Sequence, residues 1–81
     1  MQVQARFFAA YRDLLGSTEM TVELPPGATV GDLVERLRER GRPYDGLPSD
    51  PAVAVNRTYT GLEANLSEGD EVAFIPPVAG G

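Results

Sequence analysis

One amphipathic helix, predicted for residues 29–40, decides which folds are open to this chain. Its apolar residues recur at i, i+3, i+4 and i+7, which gathers four of them on one stripe: Val30, Leu33, Val34 and Leu37. Thr29 and Asp32 have the spacing of an N-terminal capping box, and Gly41 is placed to end the helix. Because the stripe must be buried and the chain predicts one main helix, the surface that covers it has to be a sheet.

Alternating apolar and polar residues predict the strands of that sheet. The alternation is clear at residues 2–7 and 19–24; a short apolar run at 52–55, a segment at 58–60 after a turn, and residues 71–75, with Val72 and Phe74 on one face, predict three more strands. A short helical segment at 9–15 follows the first strand and ends at Gly16. This order predicts an α+β domain over residues 1–75, with a mixed sheet and the main helix packed across one face.

The composition narrows the chemistry that the chain can carry. None of its 81 residues is Cys, His or Lys, so it has no thiolate, no imidazole base and no side-chain amine. We therefore expect no metal site and no self-contained hydrolase. The net charge of −5 without a basic stripe argues against nucleic acid binding. No apolar run approaches the roughly 20 residues of a membrane span, and no signal peptide pattern appears, so we expect a cytoplasmic protein without a membrane partner.

Residues 76–81 predict an extended tail. Pro76 and Pro77 cannot continue a strand ladder, and their rings hold φ at about −65°. Gly80 and Gly81 have no Cβ, so a carboxylate on Gly81 can enter a narrow active site of another protein. The alternative is a frayed end without a function. The stiff Pro-Pro approach to the two glycines favours a presented carboxylate.

The parity of the strands predicts a docking surface beside this tail. If Phe7 and Phe74 face the helix, then Phe8 and Ile75 point to the opposite side of the sheet, and we expect Tyr59 to join them. Exposed apolar side chains of this kind are typical of protein interfaces. The alternative is that these three residues only cover the sheet and bind nothing.

Four short motifs are distributed along nearly the whole chain. They are Phe7-Phe8-Ala9 together with Arg12, Leu14 and Gly16; Ala54-Val55-Asn56; Gly69-Asp70-Glu71-Val72-Ala73-Phe74; and Pro76-Pro77-Val78-Ala79-Gly80-Gly81. In these motifs the chain resembles the ubiquitin-like sulfur carriers that form the small subunit of molybdopterin synthase. Residues 42–50 carry no motif of that family. The resemblance implies a β-grasp fold, in agreement with the order of elements.

The resemblance also implies that Gly81 is the chemical end of the molecule. An E1-like adenylyltransferase would use ATP to adenylate its carboxylate, and a sulfur donor protein would convert the adenylate into a thiocarboxylate. The large subunit of the synthase, in an expected heterotetramer, would receive the tail and direct the sulfur to cyclic pyranopterin monophosphate. The carrier would bind no cofactor itself and would be catalytic only as the sulfur-donating subunit, within molybdenum cofactor biosynthesis.

Two other functions remain open from the sequence. Carriers for thiamine synthesis or tRNA thiolation share the Gly-Gly end, although the Phe-Ile-Pro-Pro-Val approach favours molybdopterin. A ubiquitin-like modifier, attached through Gly81 to lysines of target proteins, is the alternative from a different class.

Overall fold

The computed structural model describes residues 1–77, which form a five-stranded sheet and two helices. In chain order the elements are β1 (Gln2–Phe7), α1 (Ala9–Leu15), β2 (Glu19–Glu23), α2 (Val30–Arg38), β3 (Ala52–Val55), β4 (Thr58–Thr60) and β5 (Glu71–Ile75). A 3₁₀ turn at Tyr44–Gly46 lies inside the long loop between α2 and β3. The predicted elements are therefore present, and the strand boundaries agree to within one residue.

The strands lie in the order β2-β1-β5-β3-β4. β1 and β5 are parallel neighbours in the middle of the sheet, and the other three pairs are antiparallel. The first and last strands of the chain thus lie side by side, with α2 in the connection between the two halves. This is the β-grasp arrangement, and the predicted α+β class with a mixed sheet is confirmed.

The core lies between α2 and one face of the sheet. The predicted stripe of α2 is fully buried there, together with the inward side chains of the strands. Phe7 and Phe74 are register partners on the parallel pair, and their ring centroids are 5.4 Å apart at a tilt of 42°. Such an aromatic pair contributes about 0.5–1.5 kcal/mol beyond its buried area.

Both ends of α2 follow local chemistry. The capping box is formed: Asp32 N–H donates to Thr29 Oγ1 at 3.2 Å, and Thr29 N–H donates to Asp32 Oδ2 at 2.9 Å. The helix ends at Arg38, so the prediction that it continues to residue 40 is wrong at this end. The last turn tightens, because Arg40 N–H donates to the carbonyl three residues back. Gly41, at φ +81°, then leads the chain away.

A side-chain clamp joins the β3–β4 hairpin to the start of β5. Asn56 and Arg57 form the two-residue turn of the hairpin, both with positive φ (48° and 73°), as a type I′ turn requires. The Asn56 amide donates to Asp70 Oδ1 at 2.9 Å and accepts the Glu71 N–H at 3.0 Å. Asp70 Oδ2 also accepts the Ser67 N–H at 2.8 Å. The clamp therefore links two turns that are 14 residues apart.

We expect Asn56→Ala to lower the free energy of unfolding by about 1–2 kcal/mol, since two partly exposed hydrogen bonds are lost. Ala also tolerates the left-handed conformation less well than Asn. Asn56→Gly is the matched control: it loses the same hydrogen bonds but accepts positive φ, so its stability should lie between those of the wild type and the Ala variant. Urea unfolding measures all three. Equal stability of the three proteins would show that the clamp does not stabilise the fold.

Candidate functional site

The sheet face opposite α2 divides into a polar half and an apolar half. The polar half lies on β1 and β2, where register partners are joined by side-chain hydrogen bonds. Gln2 Nε2 donates to Glu23 Oε1 at 2.9 Å, and Gln4 Nε2 donates to Thr21 Oγ1 at 2.8 Å. These cross-strand pairs are exposed, so this half is a hydrated surface.

The apolar half is a contiguous patch that spans four strands or strand ends: Phe8, Ala52, Ala54, Tyr59, Ala73 and Ile75. We call these six residues the apolar patch. The sheet register brings them together, because Ile75 pairs with Ala52, Ala73 pairs with Ala54, and Ala54 pairs with Tyr59. Phe8 and Ile75 directly follow the paired Phe7 and Phe74, so they leave neighbouring parallel strands side by side.

The large apolar side chains of the patch project from the surface. Within residues 1–77 three large apolar side chains are exposed, and two of them, Phe8 at 43% and Tyr59 at 71%, belong to the patch. Ile75 is half-buried, and Ala54 is 6% exposed although it lies outside the core cluster. The third exposed side chain, Leu14 on α1, lies against Gly46 instead. The three alanines therefore form a flat centre of the patch, the alanine floor, and the larger apolar side chains lie at its margins.

The structure places the predicted docking residues Phe8, Tyr59 and Ile75 on one face, as strand parity predicts. Their role in docking remains a prediction. Pro76 and Pro77 follow β5 directly, so the predicted tail begins at the margin of the apolar patch. Gly80 and Gly81, the predicted clearance and chemical residues, lie outside the described part of the chain.

Sequence reasoning missed four residues of this face. The three alanines of the patch are unremarkable in the sequence, and only the sheet order, which puts β3 between β5 and β4, makes them contiguous. Arg6 is the other omission. It lies on the boundary between the two halves, with Glu19 as its register partner on one side and Ala73 on the other. No local signal in the sequence indicates either feature, because both depend on long-range strand pairing.

The described residues offer little acid–base or anion-binding chemistry. Among residues 1–77 no group of three or more His, Cys, Asp or Glu side chains is disposed to hold a metal ion. Burial raises the pKa of the Tyr11 phenol above its usual value of 10.0, so Tyr11 stays protonated near neutral pH. At the start of α2, Val30 and Gly31 donate their N–H groups to the carbonyls of Ala64 and Leu62, at 3.0 and 2.8 Å. With the capping box, these bonds use the amides that would otherwise bind an anion.

The same part of the chain contains no helix that is both long enough and apolar enough to span a bilayer.

Two phenylalanines on opposite faces of the sheet should differ sharply in their effect on stability. Phe74→Ala removes a fully buried ring and should lower the free energy of unfolding by about 3–5 kcal/mol. Phe8→Ala removes a ring that is already half in water and should cost about 1 kcal/mol or less. Thermal or urea unfolding distinguishes the two. A large loss for Phe8→Ala would place Phe8 in the core and remove it from the surface patch.

Comparison with known proteins gives a consistent result over the whole chain. The family model described as the ThiS family matches residues 5–81. A molybdopterin synthase sulfur carrier subunit from Chlamydomonas reinhardtii is 35% identical over 83 residues, and the alignment covers 100% of both chains. Small archaeal modifier protein 3 from Haloferax volcanii is 33% identical over 95 residues, again with 100% of both chains covered.

A solved structure agrees with the fold. The putative molybdopterin converting factor subunit 1 from Pyrococcus furiosus superposes with a TM-score of 0.84 at 34% identity. The superposition covers 96% of this chain and 99% of that one. The two proteins therefore share the overall fold and nearly the same domain length.

Proposed function

The chain belongs to the ThiS family. From that premise we propose that it is the sulfur carrier subunit of a molybdopterin synthase and that its C-terminal residue, Gly81, carries the sulfur atom that is transferred. One observation carries the proposal: the strand that leads to the Gly-Gly end leaves the sheet at the margin of the apolar patch. A partner that covers the patch is thus placed to receive the tail. In this proposal the folded domain binds the partner, and the last residues carry the reactive group.

Activation of Gly81 proceeds in two steps in this proposal. Its carboxylate attacks the α-phosphate of ATP on an E1-like adenylyltransferase, which releases pyrophosphate and leaves an acyl-adenylate. A sulfur donor protein then delivers sulfur at the sulfide level, which attacks the acyl carbon, displaces AMP and leaves a thiocarboxylate. AMP is a far better leaving group than oxide, which is why the first step precedes the second.

Transfer follows on the large subunit of the synthase. The thiocarboxylate sulfur attacks a carbon of cyclic pyranopterin monophosphate, so that a carbon–sulfur bond forms while a carbon–oxygen bond at that carbon breaks and the oxygen leaves. Water then cleaves the acyl–sulfur bond, so the sulfur stays on the pterin and Gly81 returns as a carboxylate. Two such transfers supply the two sulfur atoms of the dithiolene in molybdopterin, consistent with a heterotetramer of two carriers and two large subunits.

The large subunit supplies the acid–base groups in this proposal. The chain contains no Cys, His or Lys, and the Tyr11 phenol is held protonated by burial. The carrier therefore contributes the sulfur, and Pro76, Pro77 and Gly80 present it in an extended, narrow segment. It needs no bound cofactor of its own, since ATP is consumed on the activating enzyme.

The apolar patch is the surface that the large subunit covers in this proposal. Phe8, Tyr59 and Ile75 stand at its margins, where they fit sockets on a partner, and the flat alanine floor allows close approach. Burial of Phe8 and Tyr59 on docking is favourable at about 25 cal/mol per Å² of apolar surface removed from water.

A second function is favoured by one finding, the similarity to small archaeal modifier protein 3. A protein modifier would use the same adenylate but transfer Gly81 to a lysine amine, with an amide bond in place of a thiocarboxylate. Carriers for thiamine synthesis or tRNA thiolation share the activation steps and differ only in the final acceptor.

Intact-mass spectrometry after incubation with ATP, an E1-like activator and a sulfur donor tests the proposal. We expect sulfur to replace one oxygen at Gly81, and a thiol-alkylating reagent to label the product. Deletion of Gly81 should leave the urea unfolding curve unchanged but abolish both the mass shift and sulfur transfer to the pterin. Sulfur transfer that survives this deletion would contradict the carrier function, and isopeptide adducts on other proteins would instead indicate a modifier.

Charged substitutions on the open face, which is the sheet face opposite α2, test whether the large subunit docks there. Phe8→Asp and Ile75→Asp should each weaken binding to the large subunit by 10-fold or more, an order-of-magnitude figure for an unpaired charge buried in an apolar contact. Thr21→Asp adds the same charge to the polar half of the same face and is the matched control. Calorimetric titration gives the three dissociation constants. If all three variants bind equally well, the large subunit does not cover the apolar patch.

A further inference from the structure

Arg6 lies where the polar half of the open face meets the apolar patch. Its register partners are Glu19 on β2 and Ala73, a patch residue, on β5. Among the described strand residues, Arg6 is the one with a positively charged side chain, and that side chain points to this face. The small side chain of its partner Ala73 leaves room beside it. The charge is therefore at the margin of the surface that a partner would cover.

Three contacts hold the guanidinium in place. Arg6 Nη1 donates to Glu71 Oε2 at 3.4 Å, and Nε lies 3.9 Å from Glu19 Oε2. The central carbon, Cζ, lies 5.7 Å from the centroid of the Phe8 ring. Carboxylates from the two strands on either side of β1 thus hold the guanidinium, and its third contact is with the Phe8 ring.

One nitrogen of the Arg6 guanidinium has an unused hydrogen-bond donor in the described part of the chain. Arg6 Nε is shielded from solvent and makes no hydrogen bond within the described part of the chain. The Arg6 side chain as a whole is still 42% exposed, so the contact with Phe8 is only partly desolvated. A cation–π contact contributes about 0.5–1 kcal/mol at exposed sites and about 2 kcal/mol when desolvated. Covering the apolar patch therefore strengthens the contact between Arg6 and Phe8.

We propose that Arg6 is a positioning residue of the docking surface. Its guanidinium, held by Glu19 and Glu71, keeps the Phe8 ring in the orientation that the large subunit receives. The inference rests on the proposed function, since it concerns the same docking event. It adds that part of the binding energy arises within the carrier, between a charge and a ring that strengthen each other when water leaves.

A double-mutant cycle on the complete chain tests this role. The variants are Arg6→Met, which keeps the unbranched stem of the side chain but removes the guanidinium and its charge, Phe8→Leu, and the two together. Arg6→Lys keeps the charge without the planar fork, and Arg38→Met removes a charge from the exposed side of α2 as a control. Titration calorimetry with the large subunit gives the dissociation constants, and urea unfolding of the free variants gives their stabilities.

We expect Arg6→Met to weaken binding about three- to tenfold in the wild-type background, and less than about twofold in the Phe8→Leu background. Arg6→Lys should recover part of the loss, and Arg38→Met should bind like the wild type. The coupling between Arg6 and Phe8 should be larger in binding than in unfolding, because the contact is desolvated only in the complex.

Three results would overturn the proposal: additive effects of the two substitutions on binding, unchanged or tighter binding by Arg6→Met, or a coupling of equal size in unfolding, which indicates a purely structural contact. If Phe8→Asp also fails to weaken binding, the docking surface is wrong as well. A thiocarboxylate on Gly81 in the same preparations would still support the carrier function, so the two failures are distinguishable.

Discussion

The parallel pairing of β1 with β5 is the constraint on which the rest of the molecule depends. It brings the first and last strands of the chain together in the centre of the sheet, with Phe7 and Phe74 in register and in ring contact in the core. Because the two strands run in the same direction, their ends leave the sheet side by side. Phe8 and Ile75 therefore emerge together, and the segment that leads to Gly81 starts where the chain already presents an aromatic side chain.

The two faces of the sheet have separate tasks. α2 covers one face and buries its apolar stripe against the inward side chains of the strands, which forms the core of an 81-residue chain. The other face stays open, hydrated over β1 and β2 and apolar over β3, β4 and β5. The centre of the apolar half consists of small alanine side chains, and the charged side chains of Arg6, Glu19 and Glu71 border it. In the proposed function the carrier meets several partners in turn, and such a role needs a surface that is apolar enough to bind and small enough to release.

Much of the fold was predictable from local patterns. The capping box at Thr29 and the stripe of α2 depend on residues three or four apart, and both are formed as predicted. The end of α2 was predicted two residues too late, because the prediction rests on Gly41 as the helix terminator while the backbone already tightens after Arg38. In the site, strand parity alone predicted that Phe8, Ile75 and Tyr59 share a face, since alternation requires only the position of each strand.

By itself, the sequence determined the class of fold, the separation of inward from outward side chains and the chemistry open to the chain, because these follow from residue type and from spacing within a few positions. Only the tertiary structure decided which outward residues are neighbours. The alanine floor, the clamp between Asn56 and Asp70, and the place of Arg6 between Glu71 and Phe8 all depend on strand order and register. Register is set by the burial of each strand's inner face, since a shift of one residue would turn all the core side chains of that strand to the opposite face.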